Sequence, residues 1–189
     1  MSPIALVAVS CILLSRAARY AVDMSASSAF RVVGIDPGLN ITGYGAVDFG
    51  NSLEPSIVEA GTLRTTHGRD LADRILQLHS DLVALLDDLR PDTVVIEQLY
   101  AHYKHPRTSI LMAHARGIIL LACRQAGISV HSVSATHVKK SLTGNGHATK
   151  LQMQRSIQAI CKLSELPQPP DVADAIAIAL CGGRRYARQ

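Results

Sequence analysis

Phe30-Arg31-Val32-Val33-Gly34-Ile35-Asp36-Pro37-Gly38-Leu39-Asn40-Ile41-Thr42-Gly43-Tyr44-Gly45 is the stretch around which the chain is organised. Up to Asp36 it is a short apolar run closed by a carboxylate. That pattern predicts a buried central strand delivering Asp36 to the rim of a sheet. An ionised carboxylate there is costly unless a cation or hydrogen-bond donors meet it. An Asp before Pro-Gly is also an ordinary turn former, so this segment alone leaves both readings open. Beyond Pro37-Gly38 the residues up to Phe49 alternate and are rich in Gly, Thr and Tyr, which predicts a strand folded back as a hairpin. A dinucleotide-binding loop, whose glycines lead into a helix, is excluded by that pattern.

Residues 56–63 supply a third strand of the meander. A helix then opens at Gly68 and stops at Pro91, with Leu71, Ile75, Leu78, Leu82, Leu85 and Leu89 stepping by three and four and Asp73, Asp81 and Asp88 left on the wet side. Thr93-Val94-Val95-Ile96-Glu97 is a second apolar strand that finishes in a carboxylate. The helix before it implies a crossover, hence a strand parallel to the first. Asp36 and Glu97 are therefore expected at neighbouring strand ends on one edge. Residues 98–107 read as a loop carrying Tyr100, Tyr103, Lys104 and Arg107. Residues 108–125 read as a helix apolar around most of its circumference, a face either buried in the domain or shared with a second subunit. A final strand over 128–133 completes an α/β domain whose five-stranded mixed sheet is flanked by helices.

The 189 residues, 48% hydrophobic and 18% charged, suit one domain with its own core. With 4% aromatics and no Trp, an extended stacking platform for single strands is not expected. Residues 46–98 carry ten Asp/Glu against four Lys/Arg, whereas residues 130–189 carry eight Lys/Arg against three Asp/Glu. One end of the molecule is thus expected to be electropositive and suited to a polyanion; solvated surface charge gives the same counts. Cys11, Cys123, Cys161 and Cys181 form no CxxC pair, and the last three sit in apolar helical contexts, consistent with a reducing cytoplasm. His102 and His105 lack the further ligands of a zinc site. Residues 1–28 are expected to be a non-core leader. Their apolar run is too short to span a bilayer, no Lys or Arg precedes it, and Met24 is an alternative start. The domain itself is expected over 29–183, with a basic tail at 184–189.

Two further groups carry chemistry. Lys139 and Lys140 precede a flexible Gly144-Asn145-Gly146 loop, and Thr149 with Gln152 forms a capping box that puts Lys150 in the first turn of the next helix. This combination is either a phosphate site or an ordinary capped surface helix. Asp171 and Asp174, at i and i+3 of a helix that Gly182-Gly183 is expected to close, can share a face. Acids at a helix N-terminus are also favoured by its dipole, with no function needed. Singly, each plain reading stands. Together, four oxygen-donor groups converging on one edge point to hard divalent ions, Mg²⁺ or Mn²⁺, and to phosphoryl transfer.

At this point the residues resemble the RuvC-type Holliday junction resolvases. The resemblance covers about residues 31–180: Gly-Ile-Asp36-Pro-Gly-Leu with Ile-Thr-Gly-Tyr-Gly, Ile-Glu97-Gln-Leu-Tyr100, Ala-Arg116-Gly, Val138-Lys139, Gly-Asn-Gly and Asp171-Val-Ala-Asp174-Ala. It implies a ribonuclease-H-like fold and a Mg²⁺-dependent endonuclease, with two ions per site and Mn²⁺ as a possible substitute. The substrate it implies is a four-way DNA junction, cut by paired symmetric incisions in recombination and repair. It also implies a homodimer, a branch-migration motor of RuvA and RuvB type as partner, no membrane, and action in the cytoplasm. Asp36, Glu97, Asp171 and Asp174 match the catalytic, metal-binding carboxylates; Asp171 has a second reading as a helix cap. Lys139, Lys140, Lys150, Arg107 and Arg116 are expected on DNA. Tyr100 stands where the family has Phe beside the opened junction, either stacking on a base or packing over the core edge. Two departures, Lys104-His-Pro-Arg-Thr-Ser-Ile and Ala113-His114, bear on junction contacts and cleavage sequence. The rival readings are a nuclease acting on RNA or RNA–DNA hybrids, an actin-like ATP binder, and a junction-binding protein without catalysis.

Overall fold

The computed structural model describes residues 29–50, 54–99 and 106–187. Phe30–Asp36 forms β1 and Ile41–Phe49 forms β2 antiparallel to it, with Asp36 opposite Gly43 at one end. Pro55–Arg64, β3, extends the meander on β2. Helix α1, Leu71–Leu89, carries the chain back so that β4, Thr93–Glu97, runs parallel to β1. Helix α2, Pro106–Gln125, does the same for β5, Ser129–Val133, which runs parallel to β4. The resulting mixed sheet has the order β3-β2-β1-β4-β5. Helices α3 (Ala135–Thr143), α4 (Lys150–Ile160) and α5 (Pro170–Tyr186) follow.

Alternation along the strands sorts their side chains into two cores. Val32, Val47 and Val95 meet α5, together with Val138 and Leu142 of α3 and Met153 and Ile157 of α4. Val33, Ile35, Val94 and Ile96 face the other way, onto Leu78 and Leu82 of α1 and Ala115 and Ile119 of α2. Both faces of β1 and β4 are covered, which is why their sequences are unbroken apolar runs. Each such aliphatic side chain contributes about 1.5–3 kcal/mol by leaving water. At the end of the sheet remote from Asp36, Arg31 holds Asp48 through two hydrogen bonds of 2.7 and 2.9 Å and also donates to the Leu89 carbonyl oxygen. That pin joins β1, β2 and the end of α1.

Three helix boundaries differ from expectation. Gly68 lies in the preceding turn with φ +85°, and α1 starts at Leu71 behind Asp70, whose side chain accepts from the Asp73 N–H at 2.9 Å. Helix α2 begins at Pro106, so Arg107 belongs to its first turn rather than to the loop. Helix α5 does not close at Gly182-Gly183 but runs on to Tyr186, taking in Arg184 and Arg185 from the stretch expected as a tail. The physical reason is packing. A Cβ on Gly182 would strike the Val95 side chain, and one on Gly183 the Phe49 ring. These glycines thin the helix for close approach and do not cap it. Cys123 and Cys181 are buried in helices, as expected of small hydrophobes, and Cys161 sits at the end of α4. Among the described residues no helix is long and apolar enough to cross a membrane.

Candidate active site

Asp36 is the last residue of β1 and Glu97 the last of β4; the strands are parallel neighbours with Ile35 paired to Ile96, so both carboxylates leave the sheet on one edge. Helix α5 brings the other two. It lies over β1 and β2 where these strands carry glycine: a Cβ on Gly34 would collide with the Ala175 carbonyl oxygen, and one on Gly43 with that of Asp171. The first turn of α5 is thereby seated beside the end of β1. The N-cap position is Pro169, with no side-chain capping bond, and Asp171 is therefore not spent on capping.

These acids lie close enough in the fold for their charges to act on one another. The Asp36 carboxyl is pushed up to about 7, first by burial and then by repulsion from Glu97, Asp174 and Asp171, with Lys150 acting in the opposite direction. Burial also raises Glu97, reinforced by Asp174 and opposed by Lys139. Asp174 is raised by burial against the pull of Lys150 and Lys139, with Asp171 adding to the rise. Lys139, on α3, and Lys150, the first residue of α4, are thus the cations that face the cluster. Lys150 is placed there by the expected capping box: Gln152 N–H donates to Thr149 Oγ1 at 3.3 Å, and Thr149 N–H donates to Gln152 Oε1 at 2.8 Å.

The remaining expected contacts are distributed differently. The Gly144-Asn145-Gly146 loop is ordered by its own hydrogen bonds, not loose: Gly144 caps α3, the Thr143 hydroxyl donates to the Lys139 carbonyl oxygen at 2.8 Å, and His147 N–H donates to Asn145 Oδ1 at 2.9 Å. Lys140 and Arg107 are exposed, whereas the cations whose charge acts on the acids are Lys139 and Lys150. The Arg116 guanidinium is engaged by the chain itself, with Nη1 donating to the Glu97 carbonyl oxygen at 2.7 Å in a part-buried bond and Nη2 to Ser132 Oγ at 2.8 Å in an exposed one. Tyr100 lies outside the described residues, as do Tyr103, Lys104 and the 1–28 leader. Gly43 and Ser132 were not singled out from the sequence as supports. Gly43 lies within the quoted Ile-Thr-Gly-Tyr-Gly motif, a visible signal, whereas nothing around Ser132 distinguishes it.

Among the described residues no three His, Cys, Asp or Glu side chains are gathered closely enough to grip one ion as they stand. The donor set nonetheless fits a hard divalent cation: all four groups are carboxylates, and three are held above their ordinary titration range by burial and mutual repulsion, a cost that a cation would relieve.

Residues 32–182 match the family described as "Crossover junction endodeoxyribonuclease RuvC". The chain belongs to the RuvC family. Among its relatives, the crossover junction endodeoxyribonuclease RuvC of Rhodopirellula baltica is 44% identical over 155 residues, covering 82% of this chain and 86% of that protein. The RuvC of Caldicellulosiruptor saccharolyticus is 39% identical over 151 residues, covering 80% and 90%. The solved Thermus thermophilus RuvC in complex with Holliday junction substrate superposes with a TM-score of 0.75 at 30% identity, over 84% of this chain and 95% of that one. RuvC-family nucleases are metal-dependent, and the sheet and helices seen here have the ribonuclease-H-like α/β architecture of the family.

Proposed function

We propose that this chain is a structure-specific endodeoxyribonuclease that resolves four-way DNA junctions by two symmetric cuts, with Asp36, Glu97, Asp171 and Asp174 as its catalytic carboxylates. The observation that carries the reading is their convergence on one sheet edge opposite Lys139 and Lys150, within a chain of the RuvC family.

The four carboxylates would hold Mg²⁺, two ions per site, with Mn²⁺ as a substitute. When bound, the metal supplies Lewis-acid stabilisation of charge on the phosphate. The chain's own contribution is placement. Two strand ends and one helix, each rooted in a packed core, present the acids from three directions. Lys139 and Lys150 offset charge on the phosphate oxygens as it grows. Lys140 and Arg107, both exposed, bind backbone phosphates farther out, where contacts give affinity without choosing the bond to be cut. Tyr100, three residues past Glu97 in sequence, is proposed to stack on a base at the opened crossover.

One domain carries one such cluster, and two symmetric cuts need two, so the working unit is a homodimer. It acts in the cytoplasm alongside a branch-migration motor of RuvA and RuvB type. The test is incubation of the purified protein with a synthetic four-way junction, a linear duplex of the same sequence and an RNA–DNA hybrid, each with Mg²⁺ and with chelator. Paired nicks in the junction alone, only with Mg²⁺, are expected. Preferential cutting of the hybrid would reassign the substrate, and junction binding with no cutting in either metal would leave a binding protein.

A further inference from the structure

Arg116 is a half-buried cation whose guanidinium, among the described residues, meets no carboxylate: the ion pairs found are Arg31 with Asp48 and Lys162 with Glu54. Its two partners, the Glu97 carbonyl oxygen on β4 and Ser132 Oγ on β5, belong to adjacent strands, and the planar fork of an Arg reaches both from α2 at once. The position matters because β4 ends there. Gln98 N–H makes one last bond to the Val133 carbonyl oxygen at 2.8 Å, after which the chain leaves the sheet. Arg116 holds the peptide unit that joins those two residues from its other side. Its bond to Glu97 is made to the main-chain carbonyl oxygen, so it acts on that residue through the backbone.

We infer that Arg116 is a positioning residue for Glu97: forked between the Glu97 carbonyl oxygen and Ser132 Oγ, its guanidinium locks the end of β4 and so sets the direction in which Glu97 presents its carboxylate to the metal. This rests on the nuclease reading above and reassigns a residue whose sequence suggested a DNA contact. A phosphate would have to compete with two hydrogen bonds already made within the chain, one of them part-buried.

The test uses the full chain as wild type, Arg116→Met, Arg116→Lys, Ser132→Ala and the Arg116→Met/Ser132→Ala double variant. Three quantities are measured: junction affinity in chelator across a NaCl series, Mn²⁺ affinity by electron paramagnetic resonance without DNA, and single-turnover cleavage in Mg²⁺. For Arg116→Met the expected result is unchanged junction affinity and salt slope, with Mn²⁺ affinity and cleavage each down by roughly 10–100-fold. Arg116→Lys, which keeps the charge but only one directed bond, recovers part of the loss. Ser132→Ala gives a smaller loss in the same direction and adds nothing in the double variant, because both changes cut one linkage. Loss of junction affinity with a salt slope shallower by about one ion would make Arg116 a phosphate ligand and overturn the inference. So would wild-type Mn²⁺ affinity and cleavage in Arg116→Met or, if that variant does not fold, in both Arg116→Lys and Ser132→Ala. A wild type that binds no Mn²⁺ and cuts no junction sinks the nuclease reading and this inference with it; a competent wild type with indifferent variants sinks this inference alone.

Discussion

Gly43 of β2 sits directly beneath Asp171 of α5: a Cβ there would collide with the Asp171 carbonyl oxygen and lie 3.3 Å from its Cβ. The same glycine is paired with Asp36 across the β1–β2 ladder. One residue without a side chain therefore lets two proposed metal ligands, distant in sequence, approach each other.

Gly43→Ala is accordingly expected to lift the first turn of α5 and cut cleavage by more than about tenfold, with a stability loss of about 1–3 kcal/mol typical of overpacking. Gly50→Ala, where a Cβ meets nothing within 4 Å, is the control. Thermal melts and junction cleavage on both variants decide it; a fully active Gly43→Ala would show that the close approach is not needed.

Amide substitutions separate chemistry from binding. Asp36→Asn, Glu97→Gln and Asp174→Asn each remove charge with little change of shape. Cleavage should fall by more than about 100-fold, beyond the loss typical of residues that only support a ligand. Junction affinity in chelator should survive, because it rests on basic residues. A variant that cuts at the wild-type rate removes its residue from the site.

The Asp36 carboxyl, raised from 3.8 to about 7, makes the metal-free protein pH-sensitive. As pH rises above 3.8 the unfolded chain releases this proton before the folded one does. The group's favourable contribution, complete below that point, is lost as pH climbs through about 7. At ~1.4 kcal/mol per pKa unit the loss reaches a few kcal/mol. In chelator, Asp36→Asn should melt above wild type at pH 8, with the gap closing toward pH 4. Mg²⁺ should reverse the order by binding the ionised wild-type carboxylate. A gap independent of pH would contradict the raised titration.

The outer face of α2 offers the dimer contact a clean probe. Ile110, Leu120 and Leu121 are 58%, 40% and 48% exposed, and Leu76 and Val83 of the neighbouring α1 are 64% and 44% exposed, the apolar side chains that the proposed dimer would cover. Ile118, by contrast, packs partly against the core of that face. Leu121→Glu should yield monomers with an unchanged circular dichroism spectrum, whereas Ile118→Glu should also harm folding. Light scattering at micromolar concentration checks this, and a wild-type monomer making both cuts would refute the dimer.

What could be read in advance divides along physical lines. β1 and β4 were legible because burial on both faces leaves uninterrupted apolar runs, and the crossover helix fixed their parallel pairing. The capping box at Thr149 and Gln152 was legible because it is local. Gly182-Gly183 was misread because a glycine that ends a helix and one that lets a helix press on Phe49 look alike without the partner. Pro106, a good first residue for a helix, announced the start of α2 that was placed at residue 108. Arg116 was expected on DNA because it stands in the Ala-Arg116-Gly motif of the resemblance, and a motif does not say whether a guanidinium turns outward or back onto Glu97.

Helix α5 is the last of the described elements along the chain, yet it fills the middle of one core and carries half of the proposed metal ligands. On the ribosome, domains assemble from the amino end, so β1, β2 and β4 wait with one apolar side bare until residues 170–186 emerge. A message cut short or a chain clipped after α4 loses its fold and its cutting power in the same event.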